Sequence, residues 1–97
     1  MNKENVQKVD DIEIELEKQQ VQEKIKSRGV KLSDYILVPV EYAEGQKEYL
    51  WFRVEDLSEG KVLGRLSNDP VYAHMKVGDV RWIKIEDIVN IGAFGDE

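Results

Sequence analysis

The feature that most limits what this chain can become is a change of period. Up to Arg28 the apolar residues recur at three- and four-residue spacing, whereas from Tyr35 onward they alternate with polar ones. An alternation of two sends successive side chains to opposite faces of an extended strand, so each such run offers one face to a core. Ile36, Val38, Val40 and Tyr42 share one face of the first run, and Leu50, Phe52 and Val54 share one face of the second. Val62, Gly64 and Leu66 repeat the pattern in a third run, against Leu63 and Arg65. The first run, Tyr35 to Tyr42, is rich in branched and aromatic residues, the composition of strands.

The part before the switch reads as a helix over about 10–28, preceded by a loose polar arm over 1–9. Asp10 is placed to cap it and Glu13 follows three residues later. Asp11, Glu15 and Glu17 fill the early turns, Lys24, Lys26 and Arg28 the last, and Gly29 supplies a left-handed stop. Ile12, Ile14 and Leu16 also alternate, but the surrounding Glu, Lys and Gln are strong helix formers. Val9, Ile12 and Leu16 share one face, while Val21 and Ile25 fall on nearly the opposite one, so the helix bends or covers two surfaces.

Turn signals divide the rest. Ala43-Glu44-Gly45-Gln46 joins the first two strands into a hairpin and Ser58-Glu59-Gly60 leads to the third. Pro39 removes a ladder donor inside the first strand, which predicts an edge position or a bulge, and Gly64 marks a sharp bend or a close approach. Ser67-Asn68-Asp69-Pro70 and Val77-Gly78-Asp79 are further turns enclosing a short helical turn or strand over 71–76. From Val80 one or two last strands precede a tail over 92–97. The expectation is a single α+β domain over 10–91: an N-terminal helix, then a curled antiparallel sheet of five or six short strands over 35–91, as a small SH3-like barrel.

At 97 residues with 41% hydrophobic content the chain can fill one modest core. Its net charge of −6 argues against nucleic-acid binding, which needs clustered cations to displace counterions from phosphates. With no cysteine, disulfides, thiolate metal sites and a thiol nucleophile are ruled out. No secretory leader or membrane-length apolar run is expected, and the default address is a reducing cytoplasm.

The candidates for chemistry are few. His74 is the one residue that titrates near neutrality unaided, with Asp69 and Asp79 five residues to either side, and these three form the candidate set for a small-molecule or hydrolytic role. No nucleophile, base and orienter fall into a recognised spacing, so no catalytic residue is assigned. The adjacent acid pairs Asp10-Asp11, Glu55-Asp56 and Glu86-Asp87 diverge in direction, and neither a metal site nor a cofactor is expected. Tyr49, Trp51 and Arg53 share the outer face of the second strand, and these residue types dominate interface hot spots. They are the candidate partner-binding set, with Asn68 and Asp69 as a second contact; Trp82 is expected in the core or covered by the helix.

The pattern L-W-F-R-V at Leu50–Val54, G-K-V-L-G-R-L-S-N-D-P at Gly60–Pro70, K-V-G-D-V at Lys76–Val80 and I-E-D-I at Ile85–Ile88 resembles a family of small bacterial proteins known only as a domain of unknown function. Its members show a W-V strand, a G-x-L-x-N-x-P segment, a G-D-x-V turn and a closing I-x-D-W; some relatives are described as immunity proteins that neutralise toxins. Ile88 stands where many members carry Trp, so any aromatic contact at that position does not transfer. The resemblance covers the C-terminal half and implies no catalytic residues. It implies a bacterial protein that acts by binding another protein, as a toxin antagonist; the acidic surface suits a basic partner, and the chain is expected as a monomer or a weak homodimer. A separate reading is a purely structural domain that dimerises through the strand edge near Pro39 or through the two-sided helix.

Overall fold

In a computed structural model residues 3–92 are described, with side chains described from Leu16 onward. One helix, α1 (Lys3–Arg28), is followed by β1 (Tyr35–Ala43), β2 (Gln46–Ser58), β3 (Lys61–Leu66), β4 (Val80–Lys84), a single 3-10 turn (Ile85–Asp87) and β5 (Asn90–Gly92). The strands form one antiparallel sheet in the order β4-β3-β2-β1-β5. Its edges, β4 and β5, do not pair with each other, so the sheet is open and not a closed barrel. α1 already begins at Lys3, so Asp10 and Glu13 lie inside it and cap nothing: K-E-N-V-Q-K-V contains no residue that would stop a helix. Of the tail expected over 92–97, Gly92 belongs to β5 and the rest lies outside the described residues.

The alternation maps directly onto burial. Ile36, Val38, Val40, Leu50, Phe52, Val54, Val62, Leu66, Ile83 and Ile91 all face inward and form one core. Val21 and Ile25 of α1 lie against that core, whereas Leu16 is 54% exposed, so the helix presents two faces with different fates. Val9 and Ile12 lie outside the described side chains.

Gly64 is where the sheet closes up on itself. A Cβ built there would lie 2.9 Å from Phe52 Cβ and 2.9 Å from Ile83 Cδ1, both inside van der Waals contact. The absent side chain lets Phe52 of β2 and Ile83 of β4 meet over β3, which draws the outer strand inward. In consequence, the C-terminal part of β1 and the edge of β4 line one cavity of about 440 Å³ floored by Phe52 and Ile83.

Pro39 sits in an inner strand without loss. The Val89 N–H donates to the Leu37 carbonyl, so the odd-numbered backbone groups of β1 point toward β5. β5 covers only Tyr35 to Leu37, and Pro39 therefore turns its missing donor to a side with no strand to receive it. The hairpins turn at Gly45 and Gly60, both at positive φ, and bulges interrupt the register between Glu41 and Ala43 and between Val54 and Asp56.

The helix joins the sheet through a buried carboxylate. Asp34, 3% exposed, accepts two hydrogen bonds from the Arg28 guanidinium (3.0 and 3.2 Å) and one from the Lys31 N–H (2.8 Å). Its own carbonyl accepts the Val54 N–H while the Ser33 N–H donates to the Val54 carbonyl, which continues the β1–β2 ladder into the connection. Gln22 of α1 adds two bonds to the Ile85 and Ile88 carbonyls.

Two stability measurements follow. Gly64→Ala forces Phe52 or Ile83 aside and lowers stability by about 1–3 kcal/mol in urea denaturation. Gly92→Ala, with nothing within 4 Å of the added carbon, stays within about 0.5 kcal/mol. Asp34→Ala removes the acceptor of three hydrogen bonds; because Arg28 keeps some access to water, the expected loss is about 2–3 kcal/mol. An unchanged denaturation midpoint in Asp34→Ala would show that the Asp34 bonds add nothing to the joining of helix and sheet, leaving it to apolar packing and Gln22.

Candidate functional site

The outer face of the sheet is the side that α1 leaves bare. Strand parity places Tyr35, Leu37 and Pro39 of β1 there, with Tyr49, Trp51, Arg53 and Glu55 of β2, Leu63 and Arg65 of β3, and Val80, Trp82 and Lys84 of β4. In register, Leu37 lies opposite Trp51 and Pro39 opposite Tyr49, so the β1–β2 half carries an apolar plaque. Trp82, 49% exposed, lies opposite Leu63 at the far side and is not core. The two tryptophans do not meet, because β3 and an ionic group stand between them.

That ionic group is built from Arg53, Glu55 and Arg65. Arg53 lies directly opposite Arg65 across β2 and β3, and opposite Tyr35 across β1 and β2. Arg65 grips Glu55 with two bonds, Nε at 2.6 Å and a terminal nitrogen at 2.9 Å, and gives a third to the Gly78 carbonyl at 2.7 Å. The Glu55 carboxyl is held below its ordinary range first by this hydrogen bonding from Arg65, against a desolvation that opposes it, and then by the charges of Arg65 and Arg53. Arg53 itself makes a 3.0 Å bond to Ser33 Oγ and, among the described residues, no ion pair.

Of the other expected contacts, Asn68 proves structural. Its Oδ1 accepts the Trp51 N–H at 2.8 Å while the Trp51 carbonyl takes the Ser67 N–H and hydroxyl, so Asn68 extends the β2–β3 ladder beyond the last residue of β3. It thereby fixes the backbone beneath Trp51. Asp69 is exposed beside it. The segment 71–76 is neither helix nor strand but part of the irregular connection 67–79.

What organises that connection is Glu48, which gave no sign in the sequence. Its carboxylate accepts three successive backbone N–H groups, from Val71 (2.6 Å), Tyr72 (2.9 Å) and Ala73 (2.9 Å). Tyr72 also stacks on Tyr42 with ring centroids 4.9 Å apart. Ala73 and Met75 pack on the core while Val71, 76% exposed, stands at the tip. At the far end Asp79 Oδ2 accepts the Lys76 N–H around Gly78 at positive φ, the role its sequence position implied.

The proposed titrating set does not assemble into a bonded group. His74 is exposed and lines an open cavity with Asp79, Glu41 and Arg81, but Asp69 is not on that wall. Among the described residues neither acid hydrogen-bonds the imidazole, and no group of three or more His, Asp or Glu is placed to hold a metal ion. Among the described residues no helix is long and apolar enough to cross a membrane.

The Glu48 clamp sets a pH dependence. The Val71 N–H does most to pull its carboxyl below the ordinary value, desolvation opposes, and the Tyr72 and Ala73 N–H groups add to the lowering. A depressed carboxyl stabilises the fold above its unfolded pKa and loses that contribution as pH falls through the folded one. The amide signals of residues 71–73 are therefore expected to titrate together below the ordinary glutamate range. In Glu48→Gln that shared transition disappears; its persistence would assign the transition to another acid.

Comparison with known proteins returns no matching family model, no matching curated protein and no matching solved structure.

Proposed function

We propose that this chain is a non-enzymatic protein-binding module whose contact surface is the bare outer face of the sheet around Tyr49, Trp51 and Arg53. The observation that carries this reading is the unequal treatment of the two sheet faces. The inner face is filled by its own side chains, by α1 and by Ala73 and Met75, whereas the outer face holds Trp51, Trp82, Tyr49 and two arginines, and no helix or strand among the described residues packs across it. Large aromatic rings and arginine on an uncovered rigid sheet are the composition of interface hot spots. Asn68 and Glu48 support the reading by holding the adjoining loop rigid, which reduces the ordering cost of binding.

The finer architecture belongs to the same proposal. A four-stranded meander, β1 to β4, that curls over Phe52, with a single 3-10 turn ahead of a short last strand that returns beside β1, supports a small SH3-like barrel left open between β1 and β4. The resemblance to bacterial immunity proteins gives the binding a specific form, capture of a toxin in the cytoplasm. The net charge of −6 favours a basic partner through faster association.

Trp51→Ala is the deciding variant. Its ring is half-buried on the outer face, so truncation leaves the core intact while removing the centre of the plaque. Capture of the partner from an extract of the source organism is expected to fall about 30-fold or more, the range of a hot spot of about 2 kcal/mol. Undiminished capture would exclude this face.

A further inference from the structure

The charge at the centre of the outer face runs against the charge of the whole chain. Arg53 and Arg65 stand directly opposite each other with one carboxylate, Glu55, between them, and Arg65 takes both of its oxygens. Arg53 is left with one bond to the Ser33 hydroxyl, and the remainder of its planar fork has no protein acceptor among the described residues. The nearby acids are engaged elsewhere: Asp34, next to Tyr35, is paired with Arg28, and Asp56 caps the Leu57 N–H. An excess positive charge thus sits at the middle of an acidic protein, on a rigid strand, with Tyr35 opposite it and Trp51 two residues along the same face.

We propose that this site takes a partner's acidic side chain, an Asp or Glu carboxylate seated on Arg53, with apolar neighbours packing on Tyr35, Leu37 and Trp51. The proposal rests on the reading of the outer face as the binding surface and names the chemistry it recognises. A guanidinium pairs a carboxylate through two parallel N–H bonds, and a partner's carboxylate would complete the balance of two cations with two anions. A single unit of excess charge suits a monoanion; a dianionic phosphate would lie beside Glu55 without a second cation to offset it. A nucleic-acid backbone needs a track of cations, which this face does not provide. The net charge of −6 acts on the approach of a partner, whereas contact chemistry within one Debye length, about 8 Å at physiological salt, is set by the groups present there.

The test is selection of a random peptide display library on the immobilised full-length chain, followed by binding of the selected peptides to Trp51→Ala, Arg53→Lys, Arg53→Gln and Arg53→Glu. All three Arg53 changes alter an exposed side chain, and the Lys variant keeps the charge without the fork. The expected result is peptides rich in Asp or Glu beside apolar residues, weakened about tenfold or more by Arg53→Gln and less by Arg53→Lys. Repeating the selection on Arg53→Glu should recover Lys- or Arg-bearing peptides instead. Peptides that depend on Trp51 but are indifferent to Arg53→Gln would overturn the carboxylate assignment and leave the binding surface standing. Peptides indifferent to both substitutions, or no peptide retained, would overturn both.

Discussion

The structure depends on a side chain that is not there. Because Gly64 has no Cβ, the Phe52 ring and the Ile83 side chain occupy the space over β3, and through them the β2 and β4 strands are joined by apolar contact in addition to their shared ladder partner. A sheet drawn together in this way buries one face within itself and needs little from the helix, so α1 seals it with Val21 and Ile25. The cost of that economy is a second face that no helix or strand among the described residues covers. Which residues stand on the outer face is then no longer a question of folding, and Trp51, Trp82 and Arg53 there ask for a reason outside the fold.

Three segments outside the strands are held by side chains. Asp34 receives the end of α1 and the turn after it, Glu48 gathers the amides of residues 71–73, and Asn68 replaces a missing strand residue opposite Trp51. In each case a side-chain oxygen accepts backbone or guanidinium donors that would otherwise go unsatisfied, the same physical solution at three places.

Much of the core was legible because alternation is a local property that burial enforces. The inward sets of β1, β2 and β3 were fixed by spacing alone, and the Gly64 contact followed from a glycine in a strand. Trp82 was not legible, since β4 carries apolar residues at both parities: Val80 and Trp82 outward, Ile83 inward. Glu48 was not legible either. Its partners lie 23 to 25 residues away, and an isolated glutamate in a strand has no local signature of a clamp. The helix start failed for the opposite reason: a good cap at Asp10 suggested a boundary where the preceding residues simply continue the helix. Tyr49, Trp51 and Arg53 were read onto one face, and they do share it, but the importance of Arg53 comes from Arg65, a neighbour visible only once β2 and β3 are in register.

Register also settles how the two tryptophans relate to function. Had Trp51 and Trp82 stood side by side, the outer face would have been a broad apolar patch, indifferent to the sign of a partner's charge and exposed to non-specific association. The bulge between Val54 and Asp56 instead sets Asp56 opposite Leu63, in the row of Trp82, while Trp51 pairs with Leu37 on the other side of the arginine pair. A charged divider between two aromatic areas makes desolvation costly for any partner that cannot supply the matching group. On the proposed reading of this face as a binding surface, selectivity resides at its centre: the rings would provide area, and the Arg53–Arg65–Glu55 group would decide what may cover them.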